Sequence, residues 1–245
     1  MTTHPGPPAL QAALNGDSTH PAMPKTPDEI AADAAASVAA GATMLHAHAF
    51  DDNGEETLAA GPVSRTLRAI RRACPDIPIS MTTFAAIEPD PDARYATVAA
   101  WTDLPDLIPA NQGEDGITEL SELLIRRGVG VEACVLSISD AETFVARGAY
   151  SRYERVAVEA LVLDPEEALA TAAAMESILA KAGVSLEQLH HGIGAASWAV
   201  SRRAAARGHG IRTGIEDTHT LPDGRVTTGN AELVAAAAAI LARQD

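Results

Sequence analysis

The histidines His46 and His48 lie in Thr43-Met44-Leu45-His46-Ala47-His48-Ala49-Phe50, a largely apolar run between Gly41 and Gly54. Such a run reads as a short buried strand. Alternate side chains of a strand share a face, so the two imidazoles project together, about 6–7 Å apart along the chain. Two imidazoles on one face can share a metal ion. Zinc takes histidine nitrogen readily, and a catalytic zinc uses three protein ligands with a fourth position open. Ile215-Glu216-Asp217 offers the third ligand, Glu216. Asp217, its neighbour, would face elsewhere and stay free as a base. Arg212 precedes Glu216 by four residues and would share its strand face at greater depth, where it can grip a carboxylate bidentately. A plainer reading of His-x-His competes with this one: one ring packed in the core, the other in water.

These side chains need a frame, and the chain alternates strand and helix throughout. Ala9 to Leu14 reads as a strand that turns at Asn15-Gly16. Thr26-Pro27-Asp28-Glu29 opens a helix, with Thr26 as N-cap, Pro27 at the first helical position and Glu29 completing a capping box. Strands are expected at Ile77–Thr83, Asp106–Asn111, Val129–Ser137, Glu154–Leu163, Leu186–His191 and Ile211–Glu216, with helices between them and a last helix from Asn230 to the end. Strict alternation implies parallel strands joined by right-handed crossovers. Eight such units match a (β/α)8 TIM barrel in one domain, residues 1–245, since that fold typically takes about 250 residues. A doubly wound open sheet is the alternative, but no G-x-G-x-x-G follows an early strand.

Barrel active sites lie at the C-terminal ends of the strands. The polar residues expected there, besides the metal set, are Asn15, Thr82, Thr83, Asn111, Glu132, Glu159, His190 and His191. Asn15, Thr83, Asn111, Glu132, Glu159 and His191 are assigned to substrate binding. Asn15 and Asn111, taken singly, also read as helix caps. Glu132 and Glu159 stand in nearly apolar strands, where an unpaired charge is costly.

Composition narrows the function classes. Hydrophobic residues make up 47% of the 245 and aromatics only 3%, which suits Ala-rich helices on aliphatic strands. A formal net charge of −15 argues against nucleic acid and anionic membrane partners, which require clustered Lys and Arg. Cys74 and Cys134 form no Cys-x-x-Cys pair and read as free thiols. The Pro-rich start, Met1 to Pro8, lacks the layout of a signal peptide, and no apolar run reaches a membrane span, so a cytoplasmic protein is expected.

Taken together, Asn15-Gly16, Pro24-x-Thr26-Pro27-x-Glu29-Ile30, Ala40-Gly41-Ala42, His46-x-His48, Thr82-Thr83, Glu132, Arg212-x-Gly214-x-Glu216-Asp217, Leu221-Pro222-Asp223-Gly224 and Asn230-Ala231-x-Leu233 resemble the β-keto acid cleavage enzymes, typified by 3-keto-5-aminohexanoate cleavage enzyme. The resemblance covers nearly the whole chain and is closest to a shorter branch with trimmed loops. It implies a zinc-dependent barrel, homo-oligomeric as a dimer or tetramer. The implied reaction joins a small β-keto acid to acetyl-CoA, giving acetoacetyl-CoA or a relative and a shortened acyl-CoA. It puts the zinc ligands on His46, His48 and Glu216, the catalytic carboxylate on Asp217 and the site arginine on Arg212. It puts a hydroxyl that assists at the reacting carbonyl on Thr82, and an acid that reads the far end of the substrate on Glu132.

The chain departs from the pattern at Phe50, where relatives carry Arg, and at Phe84, where they carry Gly. Both aromatics would narrow the pocket or replace an ionic contact. The loop from Asp17 to His20 is short and carries no assigned role. Two other readings stand beside the first: a zinc barrel lyase or hydrolase acting without CoA, and a metal-binding barrel whose catalysis has drifted.

Overall fold

A computed structural model of the chain describes residues 8–243. The proline-rich start, residues 1–7, and the last two residues lie outside the described residues, and with them the ends of the expected domain. Eight parallel strands close into a barrel in sequence order, β1 to β8, with β1 hydrogen-bonded to β8. The strands are β1 Leu10–Ala13, β2 Met44–Ala47, β3 Ile79–Met81, β4 Leu107–Asn111, β5 Gly130–Val135, β6 Arg155–Ala160, β7 Glu187–Gly192 and β8 Gly210–Thr213. The helices that follow them are α1 Pro27–Ala39, α2 Ala60–Ala73, α3 Pro91–Ala99, α4 Ile117–Arg126, α5 Ile138–Arg147, α6 Pro165–Lys181, α7 Ser197–Ala206 and α8 Asn230–Leu241. The expected TIM barrel is the fold observed.

Local chemistry sets the helix starts. Thr26 accepts from the Glu29 N–H while Glu29 reaches back to the Thr26 N–H, so the capping box before α1 is complete. Asp90 and Asp164 cap α3 and α6 with a proline directly after them. None of the described helices is long and apolar enough to cross a membrane.

Alternation along each strand divides the residues between two environments. Leu45 and Ala47 on β2, Val131 and Ala133 on β5, and Val156 and Val158 on β6 are buried in the apolar layer under the helices. Each leucine or valine among them contributes roughly 1.5–3 kcal/mol when fully buried, and each alanine methyl about 0.8 kcal/mol. The residues between them point into the barrel, and many of them are polar: Gln11, His46, Ser80, Glu132 and Arg155 form one chain of contacts across the lumen, while Glu159 contacts His191, which shares Asp217 with Arg212. Strand β7 differs because its outward face carries Gln188 and His190, which accounts for its weak apolar signature in sequence.

Several strands are shorter than their apolar runs suggest. The clearest case is β8, which ends at Thr213 rather than Glu216. Gly214 crosses so close to β1 that a Cβ there would overlap the Ala13 carbonyl oxygen. The chain then turns, and the Asp217 and Thr218 N–H groups both donate to the Gly214 carbonyl. Glu216 and Asp217 therefore belong to a turn, not to a strand.

Candidate metal and acid–base site

The two histidines hang from the end of β2. His46 is in the strand and His48 one residue beyond it; their rings meet edge-on with centroids 5.2 Å apart. Asn15 fixes that exit. Its Oδ1 accepts from the His48 N–H at 2.7 Å, and its Nδ2 donates to the carbonyls of His48 and Pro24. The turn after β8 brings Glu216 to both rings. Its Oε2 lies 3.9 Å from His46 Nε2, and its Oε1 3.5 Å from His48 Nε2.

The short Asp17–His20 loop holds that turn. The Ser18 hydroxyl donates to the Ile215 carbonyl at 2.7 Å. Gly16 has φ +114°, a region that favours glycine. A Cβ there would come within 3.0 Å of the Glu216 side chain. On the other side the Asn230 Oδ1 accepts from the Ile215 N–H, and its Nδ2 donates to the Leu14 carbonyl.

The donor set suits a divalent ion. The ligating atoms of His46, His48 and Glu216 all lie within 4.8 Å of one another. Ligand atoms on a tetrahedral zinc stand roughly 3.3–3.5 Å apart; the His48–Glu216 separation of 3.5 Å matches this and the His46–Glu216 separation of 3.9 Å is somewhat longer. Glu216 Oε2 is buried without a hydrogen-bond partner among the described residues, an orphan atom that a metal bond would satisfy. Burial, with Arg212 and His48 nearby, holds the His46 pKa well below the usual histidine range. Burial would depress His48 too, but Glu216 and Glu56 outweigh it and push that ring up to about 9.

Asp217 is buried beside this set and is not free. Arg212 Nη2 lies 3.2 Å from its Oδ1, and His191 Nδ1 lies 3.3 Å from the same oxygen. The expectation of an unengaged base is corrected here, because the turn aims Asp217 back into the barrel. Burial would raise its pKa, yet Arg212 and then His191 prevail and hold it low, so the group is an ionised acceptor at neutral pH. Arg212 also reaches Glu216 Oε1 at 2.9 Å, through the turn rather than along a shared strand face. Glu159 pairs with the far side of His191, Nε2 to Oε2, at 3.2 Å.

The site floors a cavity of about 750 Å³ at the C-terminal mouth, which Thr82, Thr83, Asn111, Glu159 and His191 also line. Thr83 donates to the Pro109 carbonyl, and Asn111 donates to Glu114. Two expected binding residues are placed elsewhere. Asn15 is fully used in bracing backbone and does not line the cavity. Glu132 is only the third residue of β5, so it sits below the mouth rather than on the rim with Thr82 and Asp217. Its partners there are Ser80, Gln11 and Arg155.

Sequence reasoning passed over Glu56 and Ser80. Glu56 Oε1 lies 3.2 Å from His48 Nδ1, and Ser80 Oγ lies 3.4 Å from His46 Nδ1. Asp51-Asp52-Asn53-Gly54 was the available signal for Glu56. Those are turn residues, and a hairpin there pairs Glu56 with Phe50, two residues past His48.

The model of the BKACE family, beta-keto acid cleavage enzyme, matches residues 8–245. The chain belongs to this family. It is 37% identical to the 3-keto-5-aminohexanoate cleavage enzyme of Fusobacterium nucleatum subsp. nucleatum over 68 residues, 28% of this chain and 25% of that protein. Among solved structures it is similar to a ternary complex of ObcA with a C4-CoA adduct and oxalate. That match has TM-score 0.76 and 15% identity, and covers 91% of this chain and 64% of that one. A binary complex of ObcA with oxaloacetate matches with TM-score 0.71 and 16% identity over 88% and 62% of the two chains. At a TM-score of 0.55 and 10% identity it is also similar to 3-keto-L-gulonate-6-phosphate decarboxylase of Vibrio cholerae, over 98% and 97%. These structural likenesses are likenesses of fold. The chain spans less than two thirds of the length of ObcA.

Proposed function

We propose that this family member cleaves a β-keto acid by exchange with acetyl-CoA, using one zinc ion per chain held by His46, His48 and Glu216. The observation that carries the proposal is the convergence of both Nε2 atoms on Glu216, next to the buried Arg212–Asp217 pair, at the mouth where barrel enzymes work. Zinc bound there would supply Lewis acidity to the keto oxygen.

The protein's own groups do the rest. Arg212 receives the substrate carboxylate and draws its charge partly away from Asp217, which makes that carboxylate a better base. Asp217 accepts a proton from the α-carbon. The α-carbon then bonds to the acetyl carbonyl carbon and the CoA thiolate leaves. The thiolate adds to the original keto carbon, the bond from that carbon to the α-carbon breaks, and Asp217 returns the proton. Thr82 stands on the cavity wall as a hydroxyl for the reacting carbonyl, with Thr83, Asn111, Glu159 and His191 around the substrate. The products implied by the family resemblance, acetoacetyl-CoA with a second acyl-CoA, do not conserve CoA. One CoA enters, so one thioester leaves: the products are free acetoacetate and the acyl-CoA of the substrate's keto side.

Relatives frame the choice of substrate. ObcA is known in complex with oxaloacetate and with a C4-CoA adduct. In this chain Phe84, Leu161 and Leu163 are exposed and line the cavity mouth with Leu136 and Ile193. A mouth so lined favours a β-keto acid with an apolar substituent over one ending in an ammonium or a second carboxylate. The proposal includes a homo-oligomer, which sedimentation would size, and a cytoplasmic setting in keeping with two buried free thiols.

The test pairs zinc content with turnover for the parent and His46→Ala, on β-keto acids with apolar, cationic and anionic substituents, with and without acetyl-CoA. Expected are about one zinc per parent chain, less in the variant, and acetyl-CoA-dependent release of acetoacetate. Turnover without acetyl-CoA would favour the lyase or hydrolase reading. Undiminished zinc in His46→Ala would overturn the ligand set.

A further inference from the structure

Each metal-facing imidazole has a second nitrogen, and in this chain each second nitrogen meets its own side chain. His48 Nδ1 lies 3.2 Å from Glu56 Oε1; both atoms are buried, and among the described residues neither makes a well-aligned hydrogen bond, with the other or elsewhere, so a modest rotation of the ring onto a metal ion would let Nδ1–H donate to this carboxylate. His46 Nδ1 lies 3.4 Å from Ser80 Oγ. Ser80 in turn donates to Glu132 Oε2 at 3.1 Å, Gln11 donates to the same oxygen, and Arg155 approaches Glu132 Oε1 at 3.4 Å.

The chain builds each support separately. Asp51 accepts from the Asn53 and Glu55 N–H groups, its own N–H donates to the Glu55 carbonyl, and Gly54 takes φ +78°. That turn folds Glu56 back against Phe50 and beside His48. Ser80 faces His46 because the two are register partners on β3 and β2. Glu132 enters the same lumen layer from β5.

We infer that Glu56 is a positioning residue for metal binding, fixing His48 as the Nδ1–H tautomer with its Nε2 lone pair aimed at the ion, and that Ser80, backed by Glu132, does the same for His46. An imidazole that donates from one nitrogen to a carboxylate or hydroxyl presents the other as a stronger, oriented ligand, and losing such a partner typically weakens metal binding about 10–100-fold. Glu132 thereby gains a role suited to its depth, supporting a ligand from below. The inference rests on the proposed metal site and is separable from it.

The experiment measures zinc affinity of the whole chain by competition with a chromophoric chelator, and the melting temperature of the zinc-stripped protein. The variants are Glu56→Ala, Glu56→Gln, Ser80→Ala and, as control, Glu55→Ala, which removes a neighbouring exposed carboxylate that does not touch His48. Glu56→Ala is expected to weaken zinc by roughly 10–100-fold. Glu56→Gln should recover most of this, since an amide oxygen still accepts from Nδ1–H. Ser80→Ala should weaken zinc less, its contact being longer, and Glu55→Ala should match the parent. Affinity of Glu56→Ala within about twofold of the parent overturns the inference. So does equal weakening by Glu55→Ala, which would make loop charge the cause, or a lowered melting temperature with unchanged affinity, which would make Glu56 merely structural. If the parent itself binds no zinc, the proposed metal site fails instead.

Discussion

His190 and His191 are neighbours on one strand and lead opposite lives. His191 points into the barrel, between Glu159 and Asp217. Burial would lower its pKa, but those two carboxylates outweigh burial and push it up to about 9. His190 points out, under α6 and α7, with its ring stacked on His209 at 4.6 Å. Burial, then His209, pushes its pKa down to about 3 and outweighs the opposing charge of Glu176, whose oxygens pair with Arg203, Arg207 and His209. The strand's two-residue period assigns the faces, and the partners on each face assign the charge. The inner cluster holds charge beside the proposed metal site. The outer cluster uses Glu176 to tie α6 to α7 and keeps His190 neutral.

The contrast breaks most visibly at Asp217. Asp217→Asn keeps the shape of the inner cluster but cannot accept a proton. We expect zinc content and fold to match the parent and kcat to fall about 10²–10⁴-fold, the usual contribution of a general base. Near-parent kcat on the turned-over substrate would remove Asp217 from the mechanism. Loss of zinc would mean that Asp217 and Glu216 exchange roles.

Next in size is the cation between the two inner carboxylates. His191→Phe removes it and leaves Glu159 and Asp217 with Arg212 as the shared counter-charge. Breaking a buried ion pair in this way typically costs about 3–5 kcal/mol. Urea unfolding at pH 7 reads this directly. A loss under about 1 kcal/mol would show that Arg212 alone neutralises the cluster, so that His191 is not its structural counterpart to His190.

How legible this was in the sequence depended on what each feature required. The barrel needed only alternation, caps and glycine stops, all local, and these stand in the chain as at Thr26-Pro27-Asp28-Glu29. The pairing of His46 with His48 needed only strand period. Glu216 was reachable because β8 closes against β1, beside β2. The depth of Glu132 was not legible, because an apolar run shows that a strand exists but not where its rim falls. Nor was the engagement of Asp217, which depends on a turn forced by the close approach of Gly214 to Ala13, a contact some 200 residues apart in sequence. Asn15 misled for a related reason: a polar residue at a strand end can serve substrate or backbone, and only the position of the His48 N–H decides.

The smallest expected effect tests the outer half of the comparison. Between the folded pKa of His190, about 3, and its unfolded value, about 6.5, the unfolded chain binds a proton that the native protein refuses. Its contribution to stability is therefore complete above pH 6.5 and declines as the pH falls toward 3. At pH 5 the loss is about 2 kcal/mol, from 1.36 kcal/mol per pKa unit over some 1.5 units. Other groups titrate in this window. Asp33, pushed up to about 6 by burial despite its bond from Asn230, runs the opposite way, and Glu176, held down to about 2, acts only below its ordinary value near 4.5. Comparing the parent with His190→Leu at each pH cancels both. His190→Leu loses the stack on His209 and leaves Gln188 without its donor, so it starts less stable at pH 7.5. Going to pH 5, however, the parent should lose about 2 kcal/mol more than the variant, as read by urea unfolding of zinc-stripped protein. Equal losses would mean that native His190 takes up its proton beside Glu176 at pH 5. The two neighbouring histidines would then differ in position but not in charge.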